Sequence, residues 1–298
     1  MKELKLEDIL TNTDFNVLKK VGYVAIIGRP NTGKSTFVNT LLGQKVSITS
    51  NIPQTTRKRV LAIYNDVDSQ IIFFDTPGIH KSELGFNQKI NNEAINSLKE
   101  ADVVLHFIDS SRPYGEEEKQ IENILKFVKS PILKVFSKID LPLKNEINDK
   151  KNTFLISSLK NTGLNELIKE VKNHLNIGNL FYPEDYYTDQ NIYFRISEII
   201  REKVFLNTKE EIPHSIYVEV EEIDESDELL KIQSYIYTET DSQKYIIVGK
   251  AGSLITKIGS SSRLELEKIF EKKIFLSLKV KVMEKWRKND KIIKQILK

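Results

Sequence analysis

The fourteen residues from Tyr23 to Thr36, YVAIIGRPNTGKST, restrict the fold more than any other stretch of the chain. Tyr23–Ile27 is a short apolar run that reads as a strand. Gly28-Arg29-Pro30-Asn31-Thr32-Gly33-Lys34-Ser35 fits G-x-x-x-x-G-K-[ST], and Thr36–Leu42 continues as a helix. A strand before and a helix after form the setting a phosphate-binding loop requires. Its glycines let backbone N–H groups curl around a β-phosphate, Lys34 sets a point charge against the β/γ oxygens, and the Ser35 hydroxyl is placed to ligate Mg²⁺.

A chain of 298 residues has room for two domains, each with its own core. With no cysteine, it has neither a disulfide framework nor thiolate metal sites, and its four histidines are scattered. No apolar run reaches about 18 residues, and Met1–Lys20 is too charged for a signal peptide. The expectation is a soluble, cytoplasmic protein. The overall charge is +3, but residues 191–240 carry five basic against twelve acidic side chains, and residues 241–298 carry fifteen against six. A basic carboxyl end is either a solvated lysine-rich surface or a contact for an anionic partner such as nucleic acid.

After the first helix, Val46–Arg57 has little periodicity and reads as a loop; the strand Arg59–Tyr64 follows. Beyond a phosphate-binding loop, this is where a γ-phosphate sensor would offer a threonine hydroxyl to Mg²⁺, with Thr56 the first choice and Thr55 the second. The apolar strand Ile71–Phe74 then runs into Asp75-Thr76-Pro77-Gly78. An Asp at the end of a strand can hold Mg²⁺ through water while the next glycine N–H faces the γ-phosphate. The expected metal set is Ser35, Thr56 and Asp75, and the expected catalytic set is Lys34, Thr56 and Gly78. Ile79 cannot orient an attacking water by hydrogen bonding, so slow intrinsic hydrolysis is expected. Asn31 is a candidate ligand for a potassium ion, with a turn-stabilising role as the alternative.

Ala101–Asp109 and Ile132–Phe136 read as buried strands on either side of an acidic helix, Glu116–Lys129. This alternation is that of a mostly parallel α/β sheet with helices on both faces. Ser137-Lys138-Ile139-Asp140 follows, and the strand Thr153–Ile156 ends in Ser157-Ser158-Leu159. Here S-K-x-D resembles the guanine motif N-K-x-D, which makes Asp140 the residue that accepts from guanine N1–H and N2–H₂. Ser137 is shorter than the usual Asn, so weaker tethering is expected. The five elements resemble the TrmE–Era–EngA class of translation-factor-related GTPases, and Pro53-Gln54-Thr55-Thr56-Arg57 is similar to the switch of the bacterial Era GTPases.

Leu164–Leu175 closes the first domain, and Phe181–Asp189 is an aromatic, polar linker similar to that of Era. Helical spacing over Ile192–Phe205 precedes alternating stretches at Ser215–Val220 and Leu229–Tyr237. Gly249-Lys250-Ala251-Gly252 follows, then the helix Ser253–Phe270 and the strand Ile274–Val282. That order resembles a KH domain, whose basic G-x-x-G loop clamps a single-stranded RNA backbone. Gly249, Lys250, Ala251, Gly252, Lys257 and Arg263 are the candidate RNA contacts. Tyr245–Val248 reads locally as a strand, where the KH pattern asks for a short helix. The expected division is an extension over 1–20, a P-loop GTPase domain over 21–180, a linker over 181–190 and an α+β KH-type domain over 191–298. The resemblance implies a monomer that binds GTP and GDP, contacts the 3′ end of 16S rRNA and acts in assembly of the 30S subunit. The alternatives are a constitutive RNA-binding module with a structural nucleotide site and a regulatory GTPase peripheral on the inner face of the cell membrane.

Overall fold

The structure, a computed structural model, describes residues 18–50, 52–53, 55–79, 85–144 and 151–297. The expected extension therefore lies outside them except for its last three residues, which belong to the first strand. The chain divides into two compact units between Asp189 and Gln190.

The first unit is built on β1 (Leu18–Gly28), α1 (Lys34–Leu42), β2 (Val60–Asn65), β3 (Ser69–Asp75), α2 (Gly85–Glu100), β4 (Val103–Asp109), α3 (Glu116–Leu125), β5 (Ile132–Ser137), β6 (Thr153–Leu155), α4 (Leu164–Asn173) and β7 (Asn176–Asn179). The strand order is β2-β3-β1-β4-β5-β6. Strands β3, β1, β4, β5 and β6 are mutually parallel, and β2 runs antiparallel to β3. Every residue of β3 and β4 is buried, as expected for strands covered on both faces. On one face Ala25, Ile27, Ile72, Phe74 and Val104 pack against Ala94 and Leu98 of α2 and Ile121 and Leu125 of α3. On the other, Phe37 of α1 meets Phe73 edge-on at 5.7 Å and Phe107 at 5.3 Å between ring centroids. Helix α4 is amphipathic by spacing, with Leu164, Leu167, Ile168 and Val171 buried along one stripe. The parallel arrangement brings the carboxyl ends of β1, β3, β4 and β5 to the same edge, where Gly28, Asp75, Asp109 and Ser137 terminate them.

Sequence reading does not find β7, which pairs antiparallel with the first residues of β1, Leu18↔Asn179 to Val21↔Asn176. The segment 181–189 is strapped along the β2–β3 hairpin. Gln70, fully buried, accepts from the N–H groups of Phe181 and Tyr182 and donates to the Tyr182 carbonyl. Asn65 donates to the carbonyls of Glu184 and Tyr186, and the Ile63 N–H donates to Tyr187 at 3.0 Å.

The second unit contains α5 (Ile192–Asn207), α6 (Ile212–Ser215), β8 (Tyr217–Glu225), β9 (Leu229–Thr238), α7 (Asp241–Val248), α8 (Ser253–Phe270), β10 (Lys273–Val282) and α9 (Asp290–Leu297). Its sheet has the order β10-β9-β8, with β10 parallel and β8 antiparallel to β9. Ile196, Ile200 and Val204 of α5 and Ile258 and Leu266 of α8 bury against Val218, Ile232 and Ile236 of the sheet. The Trp286 indole is fully buried and donates to the Ser215 carbonyl at 2.8 Å. The strand expected at Tyr245–Val248 is corrected: these residues are the last turn of α7. Thr240 starts that helix by accepting from the Gln243 N–H, and only Ile247 of the apolar run is buried.

Candidate functional site

The sheet's carboxyl edge carries Gly28 to Ser35. Gly33 caps α1 with φ 89°, and Asn31 also takes the left-handed conformation, φ 64°. The Lys34 side chain is buried, and its ammonium donates to the carbonyls of Gly28 at 3.2 Å and Arg29 at 2.8 Å. Burial pushes its pKa down to about 8, with Lys138 acting in the same direction and Asp75 opposing. Thr32 braces the loop from within, donating to the Arg29 carbonyl at 3.0 Å.

Ser35, Thr56 and Asp75 converge beneath this loop. The Ser35 hydroxyl donates to Asp75 Oδ2 at 2.7 Å and lies 3.2 Å from the Thr56 hydroxyl. Thr55 turns into its own loop, donating to the Ile52 carbonyl at 2.9 Å, so Thr56 is the threonine beside Ser35. Asp75 is fully buried and its Oδ1 has no hydrogen-bond partner. Burial raises its pKa, against the Ser35 and Ser47 hydroxyls and the Lys34 charge, which lower it. An orphaned buried carboxylate oxygen beside two hydroxyls is a hard oxygen donor set, which fits Mg²⁺ when phosphate oxygens and water complete the shell. Among the described residues no group of three His, Cys, Asp or Glu could hold a metal, so a softer multi-residue centre has no place there.

Thr76 donates to the Ile26 carbonyl at 2.5 Å, which fixes the Asp75–Gly78 turn to the central strand. Gly78 lies flat against the loop: a Cβ there would stand 2.5 Å from Pro30 N and 2.6 Å from Pro30 Cα, so no larger residue fits. The Ile79 N–H then donates to the Gly28 carbonyl at 3.1 Å, and the Ile79 side chain is buried in the apolar core under α2 and α3. It presents nothing polar to a water.

At the far side, Ser137 is buried and its hydroxyl donates to the Thr32 carbonyl at 2.6 Å, joining the end of β5 to the phosphate-binding loop. Lys138, with φ 60°, pairs with Asp109 at 2.7 Å. Burial alone would raise the Asp109 pKa, but Lys138 and Ser111 hold it below the usual carboxylate range. The exposed Asp140 accepts from the Ser157 hydroxyl at 2.5 Å, and the Ile139 N–H reaches the Ile156 carbonyl. Ser158 and Leu159 follow on the surface, Leu159 being 77% exposed. Pro77 is buried between Thr76 and Gly78, and Thr36 lies on the first turn of α1.

One expected contact has a different orientation. The Arg29 side chain turns to α3, where Nε meets Glu117 at 2.6 Å and Nη1 meets Glu118 at 2.8 Å. No local signal reveals this pairing, because the partners are 89 residues apart.

In the second unit Gly249 (φ 72°, ψ 173°), Ala251 (φ 51°) and Gly252 (φ 77°) form a tight, left-handed turn that exposes Lys250. A Cβ on Gly249 would lie 2.8 Å from Leu254 Cβ, whereas one on Gly252 would meet only Ile255 Cγ2, at an ordinary van der Waals distance of 4.0 Å. Lys257 is exposed a little over one turn into α8. Arg263 sits about 16 Å further along the helix than Gly252, at 1.5 Å per residue, and pairs with Glu267 at 2.7 Å. Arg263 is therefore not gathered with the loop.

Residues 23–138 match the family model of the 50S ribosome-binding GTPase, and residues 211–287 match that of the KH domain. GTPase Era of Treponema denticola is 44% identical over 92% of this chain and 98% of its own. GTPase Era of Thermotoga maritima is 42% identical over 93% and 96%. A crystal structure of Era in complex with MgGDPNP and nucleotides 1506–1542 of 16S ribosomal RNA superposes with a TM-score of 0.87 at 37% identity, covering 93% of this chain and 98% of that one. An Aquifex aeolicus Era variant bound to GDP.AlF4⁻ superposes with a TM-score of 0.86 at 38% identity, with the same coverage.

Proposed function

The chain belongs to the Era family of GTPases, and from that premise we propose that it couples the GTP or GDP state of its first unit to contact with the 3′ end of 16S rRNA through its KH domain, during assembly of the 30S subunit. It is a Mg²⁺-dependent GTPase that binds ribosomal RNA. The observation that carries the reading is the convergence of Ser35, Thr56 and the orphaned Asp75 Oδ1 under the loop that holds Lys34.

Backbone N–H groups of Asn31 to Ser35 and the Lys34 ammonium hold the β- and γ-phosphates. Asp140, oriented by Ser157, selects guanine. Bound Mg²⁺, held by Ser35 and by Thr56 and Asp75, directly or through water, neutralises charge that develops on the phosphates. Thr56 and Gly78 lie on the two segments flanking the γ-phosphate position and order with it. The buried Ile79 leaves the attacking water to backbone groups, so unassisted turnover is slow. We assign Asn31 as a ligand for potassium, whose charge would help there. RNA contacts fall to Gly249, Lys250, Ala251, Gly252 and Lys257. We expect a monomer in the cytoplasm; competition between RNA and anionic liposomes tests peripheral membrane contact.

The test is steady-state GTP hydrolysis, with and without an oligonucleotide of the 16S rRNA 3′ end, on wild type and Lys34→Ala. Slow hydrolysis that RNA accelerates, and that falls by at least about 100-fold in Lys34→Ala, supports the coupled enzyme. RNA binding without hydrolysis in sodium or potassium would leave only the binding module.

A further inference from the structure

Helix α3 begins with three consecutive carboxylates, Glu116, Glu117 and Glu118. An acidic first turn needs no explanation beyond the helix dipole, but the two inner carboxylates are engaged elsewhere. Glu118 is only 3% exposed, and both of its oxygens are occupied: Oε2 accepts from the Gly115 N–H at 2.9 Å and Oε1 from Arg29 Nη1 at 2.8 Å. Glu117, 37% exposed, takes the other edge of the same guanidinium. The Arg29 guanidinium, itself 19% exposed, is thus held by a hydrogen bond to Glu118 through Nη1 and by an ion pair with Glu117 whose Nε contact lacks hydrogen-bond geometry.

Arg29 is also the point on which the phosphate-binding loop is assembled. Its carbonyl receives the Thr32 hydroxyl and the Lys34 ammonium, and its backbone abuts Gly78. A pin on the Arg29 side chain therefore fixes the peptide that positions Lys34 and Thr32, and against which the Asp75–Gly78 turn rests. We propose that Glu118, with Glu117, is a positioning residue for GTP: it holds Arg29 and so pre-sets the loop in its phosphate-receiving shape. This rests on the reading of the loop as a GTP site. Without the pin the loop must be ordered by the nucleotide itself, and binding weakens by the amount of that ordering.

Glu118→Gln isolates the effect, because the amide oxygen can still accept from Gly115 N–H and keep α3 capped while the charge on Arg29 is lost. The measurements are KM and kcat for GTP and GDP affinity by fluorescent-nucleotide titration, on wild type, Glu118→Gln, Arg29→Met, Arg29→Lys and the Glu118→Gln/Arg29→Met double variant. The expected result is a rise of about tenfold in KM and in the GDP dissociation constant for either single variant, with kcat within twofold. The double variant should be no worse than the singles, because both act through one pair, and Arg29→Lys should recover part of the loss. A purely structural role would instead lower kcat with the folded fraction and leave KM unchanged. Unchanged KM in Glu118→Gln and Arg29→Met, or additive losses in the double variant, overturns the proposal. A wild type that takes up no GTP would sink the nucleotide reading itself, and the positioning role with it.

Discussion

The two loops proposed to receive phosphate in this chain are constructed in opposite ways. Around Lys34 the polar groups are buried and interlocked: Ser35 holds Asp75, Ser137 holds the Thr32 carbonyl, Thr76 holds Ile26, and Arg29 is pinned to α3. Around Lys250 the bracing is exposed rather than buried: the Thr256 hydroxyl donates to the Gly252 carbonyl at 2.8 Å. The turn has its shape because Gly249 and Gly252 adopt backbone conformations that side chains avoid, and Lys250 and Ala251 are exposed. A site that must discriminate a nucleotide and its γ-phosphate needs preorganised donors. A clamp on an RNA backbone needs close approach and charge. The first kind of loop ties function to folding, so its residues should affect both together; the second should separate them.

The sharpest test of that separation compares two glycines of one turn. Gly252→Asp places a carboxylate where RNA phosphate would pass, while its Cβ would touch only Ile255 Cγ2, at an unstrained 4.0 Å. Affinity for the rRNA oligonucleotide should fall about 100-fold, roughly 3 kcal/mol, as read by fluorescence anisotropy, while the melting temperature drops only by what a left-handed non-glycine residue costs, about 1 kcal/mol. Gly249→Asp should lose RNA equally but destabilise the unit more, because its Cβ lies 2.9 Å from the Leu254 N–H nitrogen. Equal melting curves for the two variants would break the comparison.

What could be read without the structure follows the same division. The spacing Gly28, Gly33, Lys34, Ser35 and the strand ending in Asp75 are local patterns, and local patterns mark the edge of the sheet where the nucleotide groups gather. Tyr245–Val248 is misread because four apolar residues carry no period, and the signal that makes them helix, the Thr240 cap, lies five residues earlier. Strand β7 is four mostly polar residues whose only reason to extend is the partner Leu18–Val21, more than 150 residues away. The strap over 181–189 has no sequence period because its anchors are irregularly spaced and its partners distant: Gln70 and Asn65 bind its backbone, Phe181 stacks on Tyr23, and the Thr188 hydroxyl donates to the Leu61 carbonyl. Arg29 and Glu118 are invisible as a pair for the same reason.

Burial also has a liability, and His106 exposes it. This residue of β4 is 1% exposed, and neither ring nitrogen has a hydrogen-bond partner. Burial, with Lys134 acting in the same direction and Glu122 opposing, pushes its pKa from 6.5 down to about 4. The unfolded chain therefore binds a proton that the folded one refuses as pH falls through 6.5 toward 4. The stability held above pH 6.5 is lost in that window, by about 2 kcal/mol between pH 7 and pH 5. Urea unfolding at the two pH values should show it in wild type, and His106→Leu should remove that share of the difference. If the Leu variant keeps the full pH dependence, other groups carry it and His106 is protonated without penalty.

The smallest effect falls at the junction between phosphate and base recognition. Ser137 stands where the guanine motif ordinarily has Asn, and its short side chain invited the expectation of weaker tethering. The hydroxyl is nonetheless fully used: it donates to the Thr32 carbonyl at 2.6 Å and lies 3.2 Å from the Ile108 carbonyl, at 2% exposure. Ser137→Ala removes that donor and leaves a buried carbonyl unpaired, which costs about 1 kcal/mol. Because the Thr32 carbonyl belongs to the phosphate-binding loop, part of the loss should appear as GDP affinity about threefold to fivefold weaker, alongside a lower unfolding midpoint. Preference for GTP over ATP should not change, since Asp140 and its Ser157 partner are untouched. Weaker binding and lower stability in the same variant is what an interlocked site predicts; a variant that loses stability but binds GDP as wild type does would mean that the β5 end and the phosphate-binding loop are held independently.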